Sequence, residues 1–323
     1  MMVLDSDIPT TRQHATATGL AFSPDGRSLV VTARNCAQVW PRWQDGPRQP
    51  VVRHINDLER FAFSPDGTAL FLYLSGNSRT RWMNVKAGIV MDFPVPPGPS
   101  WFAFDTNGGF LIVSHEGGKL TRFDYPASGG TATTARWTVE RHDRGSFYQF
   151  GEIRESAEVF LALEYQFEVG QPIGRHPNDW LVVRSTSDGS ETRRVRLNEE
   201  GQQLLEKAGP LAAATHPAGG YFAFPLRHRI RIWPLTANAR LKESLANTSR
   251  STFNGVAFHP NGKHLAATSN DKTVKLYDTA TFQLLQTFTW DVGRMRAVCF
   301  SPDGTLAAAV GDTGKVVVWD VDM

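Results

Sequence analysis

The sequence predicts an all-β chain: a seven-bladed β-propeller of four-stranded antiparallel blades, its ring closed by the N-terminal strand. Three observations carry this expectation. A turn sequence recurs, reading A-F-S-P-D-G at 21–26 and 62–67 and C-F-S-P-D-G at 299–304. An aromatic residue follows each turn glycine at a distance of 14 or 15 positions. The spacing between copies is 41 to 43 residues, the length of four short strands and their turns.

The turn is the first element. Degenerate copies read A-F-D-T-N-G at 103–108, A-T-H-P-A-G at 214–219 and A-F-H-P-N-G at 257–262. The residue before each turn serves as a marker: Phe22, Phe63, Phe104, Thr215, Phe258 and Phe300, with neighbouring steps of 41, 41, 43 and 42. The long step from Phe104 to Thr215 hides a further unit, marked by Phe150 in S-F-Y-Q-F-G. Ser-Pro-Asp-Gly ends a strand for a physical reason. Proline presets the backbone at the second turn position, and glycine accepts the positive φ that commonly follows.

After the turn comes a short β-branched or apolar run, such as Ser28 to Thr32, Ala69 to Leu74 or His264 to Ser269, read as the second strand. A polar break separates it from a third strand carrying the aromatic residue: Trp40, Trp82, Phe123, Trp233, Tyr277 or Trp319. The last unit stops at Val321, just after its third strand, while about a dozen residues precede the first marker-bearing strand. A segment within Val3 to Gln13 is therefore expected to supply the missing outer strand and remove an exposed edge.

Phe123, Tyr277 and Trp319 are each followed by Asp, and K-T-V-K-L-Y-D at 272–278 and K-V-V-V-W-D at 315–320 have the strongest pattern. Over nearly its full length the chain resembles the WD-repeat family, in a bacterial-type form with degenerate repeats. Many blades of that family join a histidine 8 to 10 residues before the marker to an aspartate, a Ser or Thr, and the Trp. His14, His54 and His142 match the histidine place; Asp271 and Asp312 match the aspartate place, but in other blades. No complete four-residue network is expected.

Residues 1–323 read as a single domain, with blade 4 enlarged over about 142–197 and insertions at 165–178 and 198–209, the second resembling a short helix. Hydrophobic residues are 41% and charged residues 20% of the chain, enough apolar material for a core and too little charge for disorder. No apolar run is long enough to cross a bilayer as a helix, and the N-terminus lacks a signal-peptide pattern. A cytoplasmic monomer is expected. Cys36 and Cys299 belong to the first and last blades and read as buried thiols. A net charge of +2 points to neither nucleic acid nor a membrane surface.

No nucleophile elbow, zincin helix, paired C-x-x-C, phosphate loop or dinucleotide fingerprint is present, so no catalytic residue, cofactor or metal is expected. His176 with Asp179, and His115 with Glu116, lack the third ligand a metal site needs. Arg227, Arg229 and Arg231 alternate, which places them on one strand face, with Arg193, Arg194 and Arg196 on the neighbouring outer strand; a solvated face balanced by Glu191, Glu199 and Glu200 is expected, and bidentate recognition of phosphate or carboxylate is the alternative.

The two insertions leave the scaffold on one side, the top. Partner contact is expected there through Tyr165, Phe167, Arg175 and His176, with Arg34, Arg79, Arg227 and Arg294 as auxiliary anchors. The resemblance implies a non-catalytic interaction scaffold or regulatory or sensor module that binds a protein or peptide. The alternative is a hydrolase- or lactonase-like enzyme with a site in the central funnel, which needs carboxylates on the innermost strands. Those strands read G-L-A-F, R-F-A-F, W-F-A-F, G-V-A-F and A-V-C-F.

Overall fold

A computed structural model of the 323-residue chain describes residues 1–6, 17–45, 50–74, 79–92, 99–104, 110–115, 119–124, 135–140, 148–150, 159–164, 180–196, 214–234 and 243–321. The regular structure among the described residues is all β, arranged in seven four-stranded antiparallel sheets. Numbered as blades in chain order, their first strands are Ala17–Phe22, Leu58–Phe63, Pro99–Phe104, Tyr148–Phe150, Ala214–Thr215, Phe253–Phe258 and Met295–Phe300. Each ends on the marker residue read from the repeat, including Phe150 in the long interval.

The fourth strand of the last sheet comes from the other end of the chain. Met2–Leu4 pairs antiparallel with Val316–Asp320, with Met2 opposite Val318 and Leu4 opposite Val316. The pairing begins one residue before the expected segment, and 7–13 lie outside the described residues. Both insertions, 165–178 and 198–209, also lie outside them, as do His14 and His142.

Side-chain alternation explains how thin sheets make a continuous core. In Leu29–Ala33, the side chains of Leu29, Val31 and Ala33 enter a cluster shared with the last blade, through Cys299, Val316 and Val318. Val30 points the other way, into a cluster shared with blade 2 through Leu70, Leu72 and Met83. Val316–Asp320 divides likewise: Val316 and Val318 face blade 1, while Val317 and Trp319 face blade 6. A strand buried on both faces reads as an unbroken apolar run rather than an alternating one, as these do. Cys36 and Cys299 form no disulfide and are buried in the same cluster between first and last blades. Burial pushes the Cys36 thiol up, against hydrogen bonds from Gln38 and Ala33.

The recurrent turn is a closed hydrogen-bond unit. In blade 1 the Ser23 hydroxyl donates to Asp25 Oδ1 at 2.6 Å and accepts from the Ser28 amide at 2.8 Å, while Gly26 takes φ of 71°. Ser64 and Asp66 repeat this in blade 2, and Ser301 and Asp303 in blade 7. In blades 5 and 6 histidine replaces the serine and reaches across to the next blade. His216 Nε2 lies 2.9 Å from the Gly262 carbonyl, and His259 Nε2 lies 2.8 Å from that of Gly304. Because His259 Nδ1 accepts from the Asn261 amide at 3.1 Å, Nε2 carries the proton and donates to Gly304.

Candidate functional site

The hairpin between second and third strands of a blade and the connection leading to the next blade emerge together, and main-chain hydrogen bonds tie them. Leu58 N donates to Arg34 O at 2.7 Å, and Phe253 N to Arg227 O at 2.6 Å. Asn270 N donates to Thr252 O and Asp312 N to Arg294 O, each at 2.9 Å. This side is the top; the Ser-Pro-Asp-Gly turns lie at the opposite ends of the strands.

Where the first strands start from the top, five of them carry the same irregularity. Pairing skips one residue in blades 1, 2, 3, 6 and 7, leaving Thr18, Glu59, Ser100, Asn254 and Arg296 out of register. A bulge of this kind twists the strand and re-aims a side chain, and it recurs beside functional sites. Its consequence is clear in blades 6 and 7. Asn254 Nδ2 donates to the Met295 carbonyl at 2.6 Å and to Asn270 Oδ1 at 3.0 Å. Arg296 reaches Asn270 Oδ1 at 3.4 Å and Asp312 Oδ2 at 3.5 Å, while the Arg294 amide donates to Asp312 Oδ1 at 2.9 Å.

Asp271, on the blade 6 hairpin, is the hub of a second group. It accepts from the Ser249 hydroxyl at 2.5 Å, from the Thr273 hydroxyl at 2.5 Å and from Lys275 Nζ at 2.9 Å. Burial alone raises its pKa, but the bonds from Ser249, Thr273 and Lys275 outweigh burial and hold the carboxyl far below the usual carboxylate range. Asn247 stands on the connection 11 residues before the marker Phe258, just ahead of the place where the family pattern has histidine, and donates to Ser269 Oγ at 2.8 Å. Tyr277 takes the aromatic place; burial, with the charge of Asp271, pushes its phenol up to about 12. Blade 6 thus replaces the family relay with an Asn, Ser, Asp, Thr and Lys set centred on a carboxylate.

The residues expected to contact a partner fall into three groups. Tyr165, Phe167, Arg175 and His176 lie outside the described residues. Arg79 begins the strand Arg79–Asn84. Arg34, Arg227 and Arg294 are exposed on top loops, and Arg34 reaches Asp57 at 3.8 Å. One placement differs from expectation. Arg227 is in the hairpin at φ of 50°, outside the strand Arg229–Pro234, so the expected three-arginine stripe is reduced to Arg229 and Arg231. Arg229 donates to Ser244 Oγ at 3.2 Å. On the outer strand of blade 4, Arg194 makes a two-pronged pair with Glu191, at 2.9 and 2.6 Å.

Sequence reasoning missed Arg250, Lys272 and Arg296. Arg250 and Lys272 occupy left-handed turn positions, φ 57° and 69°, where glycine or asparagine is the usual signal. Among the described residues no three His, Cys, Asp or Glu side chains come together as metal ligands, and no helix is long and apolar enough to cross a membrane.

Comparisons with known proteins agree with the repeat. The family model for WD domain, G-beta repeat matches residues 242–278 and 282–320. Pre-mRNA-processing factor 19 homolog 2 of Arabidopsis thaliana is 24% identical over 141 residues, covering 43% of this chain and 26% of that protein. Meiotic recombination protein rec14 of Schizosaccharomyces pombe is 27% identical over 106 residues, 32% of this chain and 34% of that protein. Ribosome biogenesis protein BOP1 homolog of Monosiga brevicollis is 23% identical over 175 residues, 52% of this chain and 21% of that protein. The chain thus spans from a fifth to a third of the length of these relatives. A solved structure of Kuenenia stuttgartiensis hydrazine synthase is similar in fold, with a TM-score of 0.67 at 15% identity, covering 99% of this chain and 97% of that one. With the recurrent turns and seven four-stranded sheets, the chain has the β-propeller fold and resembles WD-repeat proteins, and residues 242–278 and 282–320 match the WD repeat itself.

Proposed function

We propose that the chain is a non-catalytic interaction platform that binds a protein or peptide partner on its top face. The observation that carries this reading is the construction of that face. Top loops of neighbouring blades are hydrogen-bonded to one another and present Arg34, Arg227 and Arg294 to solvent, so contact residues are pre-positioned by a rigid scaffold. The WD-repeat relatives support it: their names refer to pre-mRNA processing, meiotic recombination and ribosome biogenesis rather than to an enzymatic reaction. Likeness to hydrazine synthase is one of fold, and fold does not carry chemistry.

The reading takes residues 1–323 as one monomeric domain. The insertions 165–178 and 198–209 extend the top face, with Tyr165, Phe167, Arg175 and His176 as the main contact and Arg34, Arg79, Arg227 and Arg294 beside it. The experiment is capture of a partner by the immobilised chain, followed by hydrogen exchange of the purified complex. Protection of the second-to-third-strand hairpins and inter-blade connections is the expected result, with affinity lowered about 5- to 100-fold by Phe167→Ala or Arg175→Ala. Protection confined to the Ser-Pro-Asp-Gly side overturns the reading.

A further inference from the structure

We propose that the loop ends of blades 5, 6 and 7 form a cationic surface for a carboxylate-rich peptide segment of the partner. This deepens the top-face reading and rests on it. Four exposed cations carry it: Arg227 on the blade 5 hairpin, Arg250 on the connection to blade 6, Lys272 on the blade 6 hairpin and Arg294 on the connection to blade 7. Among the described residues none of the four has a carboxylate within ion-pair distance, whereas the carboxylates nearest in the chain are already engaged. Asp271 is held by Ser249, Thr273 and Lys275. Asp312 accepts from the Arg294 amide and from Arg296. The positive charge is left uncompensated toward solvent.

The cations are also fixed in direction. Arg227, Arg250 and Lys272 sit at φ of 50°, 57° and 69°, a region that side chains other than glycine, asparagine and aspartate seldom enter. Main-chain bonds hold them there: Phe253 N to Arg227 O at 2.6 Å, Arg250 N to Asn247 O at 3.0 Å, and Lys272 N to Ser269 O at 3.2 Å. A turn selected for stability alone gains from glycine at such positions. Three long cations kept there are a cost to folding, and an anionic partner supplies a reason for it.

Charge chemistry separates a peptide from a nucleic acid. A continuous phosphate backbone needs an unbroken basic track, but Asp291 is exposed on the connection between blades 6 and 7. No Phe, Tyr or Trp is among the exposed large hydrophobic side chains of the described residues, so bases find no stacking platform. Separate carboxylates on a flexible peptide bypass Asp291 and reach each cation in turn.

The test is fluorescence anisotropy with a fluorescein-labelled oligo-glutamate peptide at low salt. Binding that weakens as salt rises is expected, and Arg227→Gln, Arg250→Gln, Lys272→Gln and Arg294→Gln each lower affinity about two- to five-fold. Arg27→Gln and Lys263→Gln, exposed on the opposite side, leave it unchanged. Arg294 has no left-handed backbone, so its variant isolates charge from turn geometry. No peptide binding, equal affinity in the fourfold variant, or a thymidine oligonucleotide binding more tightly than the peptide overturns the proposal. Partner protection mapped away from the top face, with peptide binding to blades 5 to 7 intact, overturns the top-face reading instead.

Discussion

Lys275 Nζ lies 2.9 Å from Asp271 Oδ2 with both side chains largely withdrawn from water, 6% and 16% exposed, and the same nitrogen bonds Thr273 Oγ1 at 2.5 Å. A buried pair is asymmetric in energy. Its attraction roughly offsets the desolvation of both charges, whereas removing one partner strands the other.

Lys275→Met is therefore expected to destabilise the fold by about 2–3 kcal/mol, read as a lower urea midpoint. Asp271→Asn with Lys275→Met should recover part of that loss, because neither charge is then left alone. A double variant less stable than the sum of the two single ones contradicts the pairing.

The carboxyl of Asp271 titrates well below its ordinary value, despite burial, because Ser249, Thr273 and Lys275 favour its charged form. A depressed carboxylate contributes stability that is full above the unfolded-chain value near 4 and is lost as pH falls toward the lower folded value. The difference in melting temperature between wild type and Asp271→Asn should be constant from about pH 5 to 7 and shrink below about pH 4. A constant difference throughout contradicts the assignment.

His264 shifts in the histidine direction with the opposite charge logic. Burial, and then the neighbouring His259, lower its pKa, with Lys263 adding to the effect and Asp278 opposing it. Folding thus favours neutral His264. Its contribution is complete above the ordinary value of about 6.5 and is lost as pH falls from there toward the lowered value. Wild type should lose melting temperature as pH falls below about 6.5, and His264→Gln should flatten that slope.

Gly304 and Gly26 occupy the same turn position, at φ of 75° and 71°, yet their surroundings differ. A Cβ on Gly304 would lie 2.5 Å from His259 Cε1 and 2.8 Å from Nε2, whereas one on Gly26 would meet only Pro302 Cδ, at 3.8 Å. Alanine at Gly26 should cost about 1 kcal/mol for the backbone alone. Gly304→Ala should cost distinctly more, through loss of the bond from His259, and His259→Ser should reduce the excess. Equal costs at the two glycines contradict the inter-blade role of histidine.

Periodic features were legible because the same local problem recurs in each repeat. Phe22, Phe63, Phe150 and Phe300 end strands since each precedes a turn whose chemistry is written in adjacent residues. Even the join of the two termini followed from a last repeat one strand short. Less legible was what depends on contacts between blades. Asn247, Ser249, Asp271, Thr273 and Lys275 span a connection, a hairpin and a strand, and no pattern in one segment announces that they meet. Arg227 misled because alternation with Arg229 and Arg231 fits a strand, while the hairpin needs a left-handed residue there and takes arginine. Arg250 and Lys272 were missed for the same reason.

The remaining prediction concerns the strand that joins the ends of the chain. Leu4 is 1% exposed and packs in one cluster with Val316, Val318 and Cys299, while Met2 and Val3 pair with Val318 and Val317. The partner strand Val316–Asp320 is flanked on both sides, its first four side chains buried. Removing residues 1–6 turns it into an edge bearing three successive valines, a template for pairing with another chain. The truncated protein should melt at lower temperature and associate on light-scattering chromatography. Leu4→Ala, which keeps the main-chain pairing, should cost about 2–4 kcal/mol without association. The two variants separate lost core packing from an exposed edge. A truncated chain that stays monomeric, with the melting temperature of the intact one, shows that Val316–Asp320 does not depend on Met2–Leu4.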